Sequence, residues 1–206
     1  SLPTPGTQVR SVDAVGKHLV VAFADGHVLR THLRMSGSWH LYRSGERWRK
    51  PAHLARAVLV VDGWEAVCFS APVVEVTRTA TVEALEHLGP DLCVPDVFDR
   101  IDEVLERMAR IPEPDTTIAE VLIDQRVAAG IGNVYKSEVL YLCRVHPFTP
   151  VQAVPVQQRR ELLVKAARLL QANLGPGPRT TAPGPPGTLY VYGRRGKPCR
   201  RCATPV

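Results

Sequence analysis

Short apolar runs separated by turn signals fill the first third of this 206-residue chain, and apolar positions recur at helical spacing over most of the rest. Residues 17–24 (KHLVVAFA) and 28–35 (VLRTHLRM) flank Asp25-Gly26, and residues 55–61 (ARAVLVV) and 65–69 flank Asp62-Gly63. An Asp-Gly pair between two β-prone runs predicts a hairpin. Strands this close, with no helix between them, imply antiparallel pairing in a sandwich or barrel. The period changes near Thr79. Residues 81–88 (TVEALEHL) predict a helix starting at Thr81 and stopping at Gly89. Residues 96–110 place Val97, Ile101, Val104, Leu105 and Met108 at helical spacing. Thr117 and Glu120 form a capping-box pattern ahead of Ile118, Val121 and Leu122. Val139, Leu142 and Cys143 continue a second stripe, and residues 156–173 carry a third through Leu162, Ala166, Leu169 and Leu170, with Gly175 past the end. Strands first and helices afterwards predict an α+β chain. Residues 175–187 (GPGPRTTAPGPPG) have no apolar face, so they predict a connector or a ligand-ordered loop; residues 189–193 (LYVYG) predict a short strand.

Between two helical patterns lies DQRVAAGIGNVYKSEVLY, residues 124–141. Gly130 and Gly132 permit positive φ and close backbone approach. Asn133 stands where the next helix begins, and the N–H groups and dipole of a helix start attract anions. Lys136, one turn on, can add a charge. The competing reading is a plain helix corner with Asn133 as N-cap. A net charge of +6 points the same way, toward an anionic partner with nucleic acid first, although a basic surface also serves solubility. No apolar run approaches membrane-spanning length and residues 1–10 (SLPTPGTQVR) are no signal peptide, so an intracellular, cytoplasmic protein is expected. Of five cysteines, Cys68, Cys93 and Cys143 sit in apolar contexts and read as core. Cys199 and Cys202 form a C-x-x-C in a basic, glycine-containing stretch.

DQRVAAGIGNVYKSEVLYLCRVHP resembles the helix–two-turns–helix motif of the formamidopyrimidine-DNA glycosylase and endonuclease VIII family. YGRRGKPCRRCATPV, from Tyr192, resembles the first half of that family's C-terminal zinc finger. GKHL at Gly16, HLRMSGSW at His32 and HLGPDL at His87 resemble further segments, in family order along the whole chain. The resemblance implies a β-sandwich domain over 1–79, a helical DNA-binding domain over 80–188 and an incomplete zinc-finger hairpin over 189–206. It implies a base-excision-repair glycosylase with abasic-site lyase activity. An amine attacks the sugar C1′, a Schiff base forms, and phosphate is eliminated. The damaged nucleotide leaves the stack and side chains fill the gap. The implied partner is damaged double-stranded DNA and the implied state a monomer.

Carried over by position, Asn133 matches the asparagine that binds backbone phosphate. Lys17 matches the β-hairpin lysine with an acid role in strand cleavage; read alone, it is a solvated surface lysine. Arg34 and Met35 match the hairpin tip that enters the emptied stack; the plainer alternative packs Met35 inward. His87 falls where endonuclease VIII relatives carry a DNA-contacting arginine. Cys199 and Cys202 match two of four zinc ligands, and Arg194, Arg195, Lys197, Arg200 and Arg201 surround them with charge.

Three features depart from the family pattern. Its members start with Pro-Glu, the amine nucleophile and the acid/base, whereas this chain starts Ser1-Leu2-Pro3 and has no glutamate before Glu46. The second cysteine pair and the arginine between the pairs have no counterpart. The arginine-rich loop of the formamidopyrimidine branch is replaced by CFSAPVVEV from Cys68, which favours the endonuclease VIII side and oxidised pyrimidines. Truncation at both ends of a bifunctional glycosylase/lyase is the expectation. The alternatives are a non-catalytic damaged-DNA-binding remnant and another nucleic-acid protein using the same helical turn.

Overall fold

The structure, a computed structural model, describes every residue except 79–84, 86, 111–112 and 114. The expected helix over 81–88 lies largely outside the described residues. The chain forms two compact units, Ser1–Glu86 and His87–Val206.

Among the described residues, the first unit is built mainly from antiparallel strands, with a short 3₁₀ turn at Ala52–Leu54. β1 (Val9–Val15), β2 (His18–Phe23), β3 (Val28–His32) and β7 (Val73–Thr77) form one sheet in the order β1-β2-β3-β7. β4 (Ser38–Arg43), β5 (Ala55–Val61) and β6 (Trp64–Phe69) form a second in the order β4-β6-β5. Both Asp-Gly pairs connect the hairpins they predict, β2 to β3 and β5 to β6. The period of two sends Val21, Phe23 and Leu29 inward, where Trp39 and Leu59 of the second sheet join them. β3 ends at His32, earlier than the pattern suggests, because residues 34–36 turn instead of continuing the ladder.

The second unit is helical: α1 (Ile101–Arg110), α2 (Ile118–Ile123), α3 (Asn133–Leu142) and α4 (Val156–Gln171). The expected helix over 96–110 enters through a 3₁₀ stretch, Pro95–Arg100, before α1 begins. α2 starts with the expected capping box: Thr117 accepts from the Glu120 N–H, and the Glu120 carboxylate accepts from the Thr117 N–H. Leu92, Met108, Ile118, Ile131, Val139 and Leu162 are fully buried in one core. Each such side chain contributes about 1.5–3 kcal/mol relative to exposure.

Two expectations about the C-terminal stretch need correction. Residues 189–193 are not a strand; they bend and turn, and their N–H groups go to a side chain instead of a ladder. Residues 175–187 are held by the protein itself. Asn173 accepts from the Thr180 N–H at 2.7 Å and donates to its carbonyl at 3.0 Å, and Thr180 Oγ1 accepts from Gly187 N–H at 2.8 Å. No helix among the described residues is long and apolar enough to cross a membrane.

Candidate functional site

One amide staples the turn between α2 and α3, in which the Asp124 carbonyl also accepts from the Val127 and Ala128 N–H groups. Gln125 Nε2 donates to the Ile123 carbonyl (2.8 Å) and the Ile131 carbonyl (3.0 Å), and Oε1 accepts from the Gly130 N–H (3.2 Å). Residues 89–92 run alongside: Gly89 N–H donates to Gln125 O, Ala129 N–H to Pro90 O, and Leu92 N–H to Ala129 O. Gly130 has φ +108°, a region that side chains with a Cβ avoid. Gly132 differs from expectation. Its φ of −128° is ordinary extended backbone, and it is the N-cap of α3. Asn133 is therefore the first helical residue, not the cap.

No side chain caps α3. Its first N–H groups are those that a helix start leaves without intrahelical partners, at the positive end of the dipole. Beside them, exposed Asn133 accepts a 2.9 Å hydrogen bond from Lys136 Nζ through Oδ1. The arrangement is a pre-paired amide and ammonium at an open helix start, suited to an anion of phosphate size. His87, exposed, stands near Asp124, whose carboxyl is held below its usual range mainly by the Arg126 guanidinium, with His87 a smaller influence.

In the strand unit, Lys17 lies in the turn between β1 and β2, and Arg34 and Met35 lie in the turn after β3. They occupy one end of the sheet, because Lys17 precedes His18, Arg34 follows His32, and His18 and His32 are register partners. Burial first, then Lys17, Arg34 and Arg30, push the His32 imidazole below the ordinary range. The His18 and His32 rings pair across the strands with centroids 4.7 Å apart. Met35 is 92% exposed, so the inward-packing alternative fails. Arg34 adopts φ +46°, a strained value for a side-chain residue, on a tip tied down by Ser36 Oγ donating to Ser70 O.

At the far end of α3, Cys199 Sγ and the Tyr141 hydroxyl are hydrogen-bonded at 3.3 Å. That hydroxyl, then the N–H groups of Arg201 and Cys202, draw the Cys199 thiol down to about 6. Cys202 is exposed at the same knuckle. Structural zinc takes four N or S ligands. These two cysteines supply half, and among the described residues no group of three or more His, Cys, Asp or Glu could hold a metal. The residues present do not complete a zinc site. Arg194 is half-buried and donates to the Pro198 carbonyl at 2.6 Å, Arg200 donates to Leu189 O, and Arg201 lies 4.6 Å over the Tyr141 ring. Arg195 and Lys197 are exposed.

Residues 89–182 match the family described as Formamidopyrimidine-DNA glycosylase H2TH domain, and residues 3–72 match Formamidopyrimidine-DNA glycosylase N-terminal domain. Probable endonuclease 8 2 of Streptomyces coelicolor is 40% identical over 203 residues, covering 98% of this chain and 72% of the relative. The chain belongs to the formamidopyrimidine-DNA glycosylase/endonuclease VIII family. DNA-(apurinic or apyrimidinic site) lyase Nei2 of Mycolicibacterium smegmatis is 34% identical over 202 residues, 97% of this chain and 76% of the relative. The MutM (Fpg) structure from Thermus thermophilus superposes with a TM-score of 0.75 at 27% identity, covering 98% of this chain and 77% of that one. The Lactococcus lactis glycosylase, solved non-covalently bound to DNA containing an AP site, gives 0.79 at 21% identity over 97% and 75%, a likeness of fold. Within the family frame, Gln125, Gly89 and His32 are the residues that sequence reasoning passed over. All three lie inside the motif segments: Gly89 meets Val127 of another segment and His32 feels the charge of Lys17, whereas Gln125 binds Ile123, Gly130 and Ile131 within its own turn.

Proposed function

We propose that the protein is a base-excision-repair DNA glycosylase with abasic-site lyase activity, acting on oxidised bases, pyrimidines favoured, in damaged double-stranded DNA. The observation that carries this reading is the open start of α3 with its Asn133–Lys136 pair. α2, the Gln125-stapled turns and α3 then act as a helix–two-turns–helix unit that seats a backbone phosphate, with Asn133 and Lys136 as its polar contacts. His87 and Arg194 belong to the same footprint, Arg194 by bracing the hairpin. In the sandwich-like strand unit, Met35 is an exposed, flexible apolar side chain suited to wedge into the gap left by an extruded nucleotide, and Arg34 faces the orphaned partner base. Lys17 contacts phosphate and supplies a proton during strand cleavage. Lyase chemistry proceeds by attack of an amine on C1′, with departure of the damaged base (or of water at an abasic site), to give a Schiff base, followed by elimination of phosphate. Cys199 and Cys202 are the zinc-side residues of the hairpin, and no step runs through a metal. The working form is a monomer inside the cell.

The test combines duplex binding with borohydride trapping. Asn133→Ala should lower affinity for an abasic-site duplex roughly tenfold, the scale of one lost charge-assisted phosphate contact, with the melting temperature unchanged. Unchanged affinity overturns the phosphate clamp. A borohydride-trapped adduct of the wild-type protein supports the lyase. Specific binding without an adduct favours a non-catalytic damaged-DNA binder.

A further inference from the structure

Glu138 is 0% exposed, in the middle of α3. Its carboxylate accepts from four donors that belong to two other stretches of chain. Oε1 takes the N–H groups of Val191 and Tyr192, each at 2.8 Å. Oε2 takes the Tyr190 N–H at 2.8 Å and the Thr181 hydroxyl. Three consecutive backbone donors thus converge on one side chain where a strand partner would ordinarily receive them. One turn further, on the same helix face, Tyr141 stacks on Tyr190 with ring centroids 5.3 Å apart and meets Cys199.

The stretch held this way has no core of its own: no residue from 183 to 206 is buried. Its internal order comes from short backbone bonds, Cys199 N–H to Thr204 O and Val206 N–H to Lys197 O among them. Its seat on the helix therefore rests on the Glu138 hydrogen bonds together with the Tyr141–Tyr190 ring pair and Arg201 over the Tyr141 ring. The other end of the same helix carries Asn133 and Lys136, and five residues of α-helix put Glu138 about 7.5 Å along the axis from Asn133.

We propose that Glu138 is a positioning residue that locks the basic hairpin onto α3, so that the exposed cations Arg195 and Lys197 stand in a fixed register with the Asn133–Lys136 phosphate site and extend it to further phosphates of the same DNA. This rests on the nucleic-acid reading above. Glu138 touches no substrate; it acts through the three N–H groups it collects. A glutamine there keeps one acceptor oxygen but turns an NH₂ donor toward N–H donors, so the segment loses its anchor while α3 keeps its length and its apolar contacts.

Hydrogen exchange and the salt dependence of binding test the proposal on the full chain. In Glu138→Gln the amides of residues 190–192 should exchange at least tenfold faster, with those of α4 unchanged. The slope of log affinity against log salt for an abasic-site duplex should fall by about one to two, close to one for each phosphate that the hairpin no longer reaches. A merely structural role would reduce the folded fraction, lowering affinity equally at every salt and leaving the slope alone. In the wild-type background Arg195→Ala with Lys197→Ala should lower the slope similarly, and in Glu138→Gln should lower it no further. Unchanged exchange, an unchanged slope or full additivity overturns the proposal. Absence of duplex binding by the wild-type protein overturns the nucleic-acid reading and the hairpin's DNA role with it, while the exchange result still decides whether Glu138 anchors the segment. Thr181→Val, which removes one of four donors, carries the same test with smaller effects where Glu138→Gln does not fold.

Discussion

An added Cβ at Gly89 would lie 2.2 Å from the Val127 carbonyl oxygen and 2.8 Å from the Ala128 nitrogen, both backbone atoms that cannot step aside alone. Gly89→Ala should therefore destabilise the helical unit by about 2–3 kcal/mol, read as a lower urea midpoint, and loosen the turn that presents Asn133. His32 makes a pH prediction. Burial, then Lys17, Arg34 and Arg30, lower its folded pKa below the value near 6.5 of an unfolded chain. As pH falls through about 6.5 the unfolded chain takes up the proton first, so stability is complete above that pH and declines below it. His32→Gln should flatten this decline between about pH 7 and 5 in urea titrations; an unchanged slope would remove His32 from the account. At this scale the sequence singled out the Arg34-Met35 tip and the Asn133 corner through their resemblance to contiguous family motifs, while spacing alone also allowed a plain turn and a plain helix corner. Gly89's close approach was invisible, since the carbonyl it meets is 38 positions away.

At the scale of elements, local chemistry was the better guide. Thr117 and Glu120 make both halves of the capping box in space, and the hydrogen bonds from Thr117 hold the Glu120 carboxyl below its usual range. Thr117→Ala should cost about 1 kcal/mol of unfolding free energy by urea titration, with Asn133-dependent DNA binding kept. The Asp-Gly hairpins follow the same logic of adjacent residues. Residues 189–193 break it. LYVYG has strand composition, but a strand needs a neighbour with open backbone groups, and here a carboxylate on α3 takes the donors first. Residues 175–187 mislead in the opposite direction: their composition predicts no packed element, and they form none, yet Asn173 and Thr180 pin them through polar bonds.

Across the molecule, the two units differ in how much they bury. Among the described residues, the helical unit joins most of its buried residues into one large cluster, whereas the strand unit has two small ones, around Val21–Phe23–Leu29 and Tyr42–Val67–Phe69. Slowest hydrogen exchange should fall in α1, α3 and α4, with β1 and β5 at the sheet edges exchanging first. Equal protection in both units would contradict this reading of the cores. Where periodicity, turn chemistry and capping act within a few residues, the sequence by itself determined the outcome: antiparallel hairpins first, amphipathic helices after, a glycine turn opening a helix, and a basic surface. Family membership was legible too, because its motifs are contiguous. Tertiary structure alone decided which groups meet across long separations. Gly89 came against Val127, His32 became a neighbour of two turn cations, and Glu138 the acceptor for donors 43 to 54 positions downstream. Such partners are chosen by how elements pack, and a buried polar group is stable only where packing brings it its complement.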